Sequence, residues 1–149
     1  MGAAGQAALS AEAQAALDEQ LFDAAWKGDA AAIERLAAEG ASPDAKWSGE
    51  PAVVKAALSG HADAVSALVR RGADLDESNG RWDSRGQTAL MGTTYWGHAE
   101  CAGLLLEAGA DHTVQDRSTK TALMHASENG REAVARLLLD RGADHAVQD

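Results

Sequence analysis

Apolar side chains recur along this chain at spacings of three and four residues, and each run halts at a glycine. Leu21, Ala24 and Ala25 begin the pattern before Gly28. Val53, Ala56 and Ala57 repeat it before Gly60, and Leu123, Ala126 and Ser127 before Gly130. Residues three and four apart share one face of a helix, so each run predicts a short helix with one packed side. A second run follows each: Ile33 and Leu36; Val65, Leu68 and Val69; Cys101, Leu104, Leu105 and Ala108; Val134, Leu137 and Leu138. No strand-like alternation runs for long, and there are only two prolines. The pattern predicts pairs of helices, with glycines where the chain leaves a helix in the left-handed conformation. Leu90, Thr93 and Thr94 take the place of the Leu-Ala-Ala face before Gly97. Two threonines on a packed face need partners, and carbonyls one turn back supply them.

The polar landmarks recur with the apolar ones. Thr88-Ala89-Leu90-Met91, Gly97-His98, Leu104-Leu105-Leu106 and Gly109-Ala110-Asp111 return as Thr121-Ala122-Leu123-Met124, Gly130-Arg131, Leu137-Leu138-Leu139 and Gly142-Ala143-Asp144, 33 residues later at every point. A fixed period of this length marks a stacked-repeat protein. The wording resembles the ankyrin repeat, whose usual form is T-P-L-H-x-A, then Gly-His, L-L-L and G-A-D. Ala89 and Ala122 stand where proline is usual, and Met91 and Met124 where histidine is usual. The resemblance covers about residues 18–149. It implies an all-α fold, an α-solenoid of helix-turn-helix repeats joined by β-hairpin or loop fingers. Thr88 and Thr121 suit helix N-caps, the glycines at 97, 109, 130 and 142 suit helix ends, and Asp74, Asp111 and Asp144 suit turns that each ties to its own backbone.

Four repeats are expected, at about 18–45, 46–78, 83–115 and 116–149, after an N-terminal tail or helix extension over 1–17. Residues 1–9 read as a loose tail, the first few of them also open to being a disordered leader, Ser10 as an N-cap, and 11–17 as lengthening of the first helix. Asp18, Glu19, Gln20 and Asp23 make the first repeat polar outside, as a terminal repeat needs. From Gly72 to Gly109 the interval is 37 residues, against 32 before it and 33 after it. An insertion within 75–83, containing the turn signal Asn79-Gly80, accounts for the excess and predicts an extended or kinked finger. After Asp144 the chain nearly copies the run from His112 to Asp116 and stops where a fifth repeat would begin. Leu137 to Leu139 are then one neighbour short, so further repeats or another molecule are expected to cover them.

Composition narrows the function. Apolar residues make up 46%, much of it alanine, which suits close helix packing over a thick core. The formal charge is −10. An acidic surface argues against nucleic acid and against anionic membranes. No apolar run approaches the about 18 residues of a spanning helix. The N-terminus has neither the basic nor the apolar region of a signal peptide, and Gln6 stands where myristoylation wants Ser or Thr. Cys101 is the single cysteine, so no intrachain disulfide forms, and an intracellular, cytoplasmic location is expected, with the nucleus left open.

The resemblance implies a non-enzymatic module that binds a protein or peptide on its concave side, at the finger tips and the exposed ends of the first helices. Those positions here carry Trp26, Leu58, Tyr95 and Trp96 on the helices, and Trp47, Trp82, Arg85 and Arg117 on the fingers. Five of the six aromatics fall there, leaving out only Phe22. Trp, Tyr and Arg are the types enriched at binding hot spots, so one partner-binding patch is the functional reading. Packing between adjacent fingers is the competing one, since tryptophan is often half-buried. A narrower version makes Trp47, Trp82 and Trp96, with Glu50 and Asp83, an aromatic cage for a cation such as methyl-lysine.

No catalytic set, metal site or cofactor site is expected. His61 and His98 hold the Gly-His place, His112 and His145 repeat along the stack, and His125 stands alone. Cys101 lies on an apolar stripe, as a buried, inert thiol would. Asp74 and Asp76 make the nearest thing to an acidic pair and read as a solvated turn. Two other roles stay open: a regulatory or substrate-recruiting segment of a larger enzyme, and a structural unit that self-associates through the end around Leu137–Leu139. The residues do not name the partner.

Overall fold

A computed structural model describes residues 9–78 and 87–142. Its elements are α1 (Ala11–Lys27), α2 (Ala30–Ala38), β1 (Lys46–Trp47), β2 (Glu50–Pro51), α3 (Ala52–Leu58), α4 (Ala62–Arg70), α5 (Ala89–Trp96), α6 (Ala99–Glu107), α7 (Ala122–Glu128) and α8 (Glu132–Asp140). Each odd-numbered helix pairs with the even-numbered one after it. The odd helices α1, α3, α5 and α7 stack in one row, and α2, α4, α6 and α8 in a second. This is the all-α solenoid that the resemblance implies. Asn79-Gly80 and the rest of the lengthened finger, with Trp82, Asp83 and Arg85, lie outside the described residues, as do Asp144 and the last five residues.

The helix ends follow from local chemistry. Ser10 Oγ accepts from Ala13 N at 3.1 Å and starts α1, so the first helix includes 11–17. Thr88 and Thr121 cap α5 and α7 by accepting from Met91 N and Met124 N, both at 3.4 Å. Pro51 begins α3 with no side-chain cap; its ring instead presets φ for the turn into the helix.

Gly28 and Gly60 are required twice over. Each has positive φ (79° and 75°), and each lies beneath a side chain of the following repeat. A Cβ on Gly28 would come 2.6 Å from His61 Nδ1, and one on Gly60 would come 2.6 Å from His98 Cε1. Arg131 takes the same place over Gly97. The histidine of each Gly-His pair therefore acts on the repeat before its own.

The core is thin and alanine-rich. Leu21, Ile33, Leu36, Val53, Leu68, Leu90, Leu105 and Leu138 supply its large buried side chains, and buried alanines fill the spaces between helices. Thr93 and Thr94 enter it by donating their hydroxyls to Leu90 O and Met91 O, each at 2.6 Å. At the far end Leu138 is fully buried, Leu137 partly, and Leu139 is exposed.

The loops are tied by aspartates. Asp74 and Asp111 accept from the backbone two residues on, at Asp76 N (3.0 Å) and Thr113 N (2.8 Å). A second set crosses repeats: Asp44 accepts from Asp74 N at 2.7 Å, and Asp76 from Asp111 N at 2.8 Å. Asp74 and Asp76 are thus turn acceptors, engaged by backbone amides.

Candidate functional site

The first helices end in a shared register. Trp26, Leu58 and Tyr95 each precede a landmark glycine by two residues, on α1, α3 and α5. Trp26 is 55% exposed and Trp96, the last residue of α5, is 56% exposed. Lys55 reaches back from α3 and places Nζ 4.9 Å from the Trp26 ring centroid, a cation–π contact. Tyr95 and Trp96 meet edge-to-face, with centroids 5.2 Å apart and planes at 72°. Leu58, between them in the helix row, is half-buried. Its methyl fills the notch at Gly92, where a Cβ would come 2.8 Å from Leu58 Cδ2. Two inter-helix steps, each about 8–10 Å, separate α1 from α5. The structure therefore gathers the first-helix aromatics at two places along the row, with Leu58 between.

The first finger is a two-residue hairpin. Lys46 pairs with Pro51 and Trp47 with Glu50, across Ser48 and Gly49. Both central residues have positive φ, 52° and 82°, which matches the twist of the flanking strands. The hairpin sets Lys46 and Trp47 outward and Glu50 and Pro51 inward. Lys46 makes an ion pair with Glu77 of the next loop. Trp47, 52% exposed, leans over α1. Between the hairpin and α1 lies an open cavity of about 500 Å³. Phe22, Trp26 and Trp47 form its aromatic walls, and Glu19, Gln20 and Asp23 its polar ones. Phe22, set aside in the sequence reading, is a wall of this cavity. The signal was present: 19, 22, 23 and 26 share one face of a helix.

The turn before α7 is built differently. Asp116 is buried and accepts from Ser118 N (2.8 Å) and Lys120 N (3.0 Å) through Oδ1, and meets His125 Nε2 at 2.7 Å through Oδ2. Burial pushes the Asp116 carboxyl up, but the amides of Lys120 and Ser118 and the His125 ring outweigh it and hold the pKa below the usual 3.8. The group stays ionised, so His125 Nε2 carries the hydrogen and donates. His125, read from sequence as standing alone, is thus paired. Its partner lies nine residues back across a turn, a distance no helical or strand period reports. Arg117 is exposed on the same turn.

Glu50 is 4% exposed and faces the scaffold, which removes one carboxylate from the suggested Trp47–Trp82–Trp96 cage; Trp82 and Asp83 lie outside the described residues. Cys101 is buried, and burial, with Glu100 adding, raises its pKa to about 11, so the thiol is protonated at neutral pH. Among the described residues no group of three His, Cys, Asp or Glu side chains is placed to hold a metal ion. No described helix is long and apolar enough to cross a membrane.

Compared with known families, the chain matches a model described as ankyrin repeats (3 copies), once over residues 21–116 and again over 83–149.

Proposed function

The chain belongs to the ankyrin-repeat family, whose members generally act as protein–protein interaction modules, and from that premise we propose a non-enzymatic binding module. Its partner is a protein or peptide that docks along the first-helix ends and fingers, on Trp26, Trp47, Leu58, Tyr95, Trp96 and Arg117, with Trp82 and Arg85 proposed as further contacts.

One observation carries this reading. The described residues expose six large apolar or aromatic side chains, and four of them are the aromatics Trp26, Trp47, Tyr95 and Trp96, at first-helix ends and on the first finger. Such side chains cost water contact unless a partner covers them, and they are the types that dominate interface energies.

The test compares partners captured by the wild type, by Trp26→Ala/Trp96→Ala, and by Arg136→Ala on the opposite helix row, with circular dichroism to confirm folding. A partner set lost in the double variant and kept by Arg136→Ala is expected. Capture weakened less than about threefold by the double variant would remove the aromatic face from the account, because paired hot spots cost far more.

A further inference from the structure

We infer that the cavity between α1 and the first hairpin receives an arginine side chain of the partner. This rests on the interaction role proposed above and adds the chemistry of the ligand.

The cavity combines two features that a cation needs together. Trp26, Trp47 and Phe22 line it, and its polar side carries Glu19 and Asp23, one turn apart on α1. Aromatic faces attract cations through their negative quadrupole, and carboxylates complete the charge match. The structure already holds a stand-in for the first feature: Lys55 sets its ammonium on Trp26, although it does not line the cavity. A stand-in for the second is Lys27, paired with Asp23 at 2.9 Å. That pair is exposed on both sides and of i,i+4 type, so an incoming cation displaces it at little cost. The Glu19 side chain is exposed, and no hydrogen bond or ion pair to it is found among the described residues.

Arginine fits better than lysine. Its guanidinium is planar, stacks on an indole, and offers a fork of N–H donors to two carboxylates at once. A lysine ammonium is compact and strongly hydrated, so it gives up more water for the same contact. The volume, about 500 Å³, exceeds one side chain and leaves room for the flanking peptide. The net charge of −10 draws a basic segment towards this surface.

The four indole N–H groups provide the readout. The ¹⁵N-labelled protein is titrated with capped Gly-Gly-Arg-Gly-Gly and with the same peptide carrying lysine or the neutral isostere citrulline. The arginine peptide is expected to move the Trp26 and Trp47 signals, and citrulline to bind at least about fivefold more weakly because it lacks the charge. Glu19→Gln/Asp23→Asn, two surface changes that leave the core untouched, is expected to weaken the arginine peptide by a similar factor. Three results overturn the inference: no movement of Trp26 and Trp47 at millimolar arginine peptide, equal binding of citrulline, or lysine binding at least as tight as arginine. A captured partner that tolerates Glu19→Gln/Asp23→Asn but is lost in Tyr95→Ala/Trp96→Ala would also overturn it, while leaving the interaction role intact.

Discussion

The connections at 45–51 and 116–120 enter α3 and α7 at equivalent points, yet different bonds hold them. Five residues before the helix N-cap the first has Lys46 and the second Asp116; four residues after it the first has Lys55 and the second His125. In the second connection these two residues form the buried Asp116–His125 contact, and Asp116 also gathers the amides of Ser118 and Lys120. In the first they are two lysines, which cannot pair. There the backbone does the work: the strand pairing of β1 and β2, together with the bond from Ala52 N to Ala45 O at 2.9 Å. The consequence reaches the surface. The second turn also has backbone bonds, Asp116 N to Lys120 O at 3.0 Å and Thr119 N to Asp116 O at 2.9 Å, but it adds side chains that are used internally. A turn closed by its backbone leaves side chains for other partners: Lys46 goes to Glu77 and Trp47 to the cavity wall, while Lys55 is shared between Trp26 and, at 3.9 Å, Glu50 of the hairpin itself. Asp116 and His125 therefore make a structural staple of the second turn, around the exposed Arg117, and the first turn is where we propose the aromatic recognition.

The sharpest way to break this contrast is Asp116→Ala. It leaves two amide donors and a histidine without their acceptor in a buried place, and we expect a loss of about 3 kcal/mol in denaturant unfolding. Lys46→Ala, at the equivalent position of the first finger, removes a partly exposed ion pair and should cost less than about 0.5 kcal/mol. Equal losses would mean that the two turns do the same job. Acid extends the test. The Asp116 pKa is lowered in the folded state, so its contribution is fully present above the unfolded value of 3.8 and is lost as pH falls through the folded value. The stability gap between wild type and Asp116→Asn should be constant near neutrality and close below about pH 4; a gap that widens in acid would contradict the assignment.

Gly60→Ala probes the scaffold that both turns share. The left-handed backbone alone costs about 1–2 kcal/mol with a Cβ, and His98 must move as well. Thermal unfolding should report a loss of about 2 kcal/mol.

A smaller effect has the opposite sign. Thr119, a β-branched residue, has φ of 63°, while the equivalent residue of the first finger is Gly49 with φ of 82°. The Asp116 bonds to the amides on either side hold Thr119 in this conformation. Thr119→Gly should stabilise the protein by about 1 kcal/mol, measured by unfolding in urea. The smallest effect on stability belongs to Trp47→Ala. More than half exposed, Trp47 should change unfolding by less than about 0.5 kcal/mol, and the same variant should bind the arginine peptide several-fold more weakly. A large loss of stability would turn Trp47 from a recognition residue into a packing one.

The helices, their ends and their stacking are legible in the chain of residues alone. Those features are periodic and local: an apolar face every third and fourth residue, a threonine cap, a left-handed glycine. The Thr93 and Thr94 hydroxyl bonds were legible for the same reason, since they span three residues within one helix. Tertiary structure decided what depends on contact between distant residues. It placed His61 and His98 over the glycines of preceding repeats, paired His125 with Asp116, and turned Glu50 inward. It also sorted the exposed aromatics, setting Trp47 with Phe22 and Trp26 around one cavity and Tyr95 with Trp96 against each other. Residue type and position name the candidates for an interface. Which of them meet is set by the register of one helix row and the hand of one tight turn, and no periodicity in the chain records either.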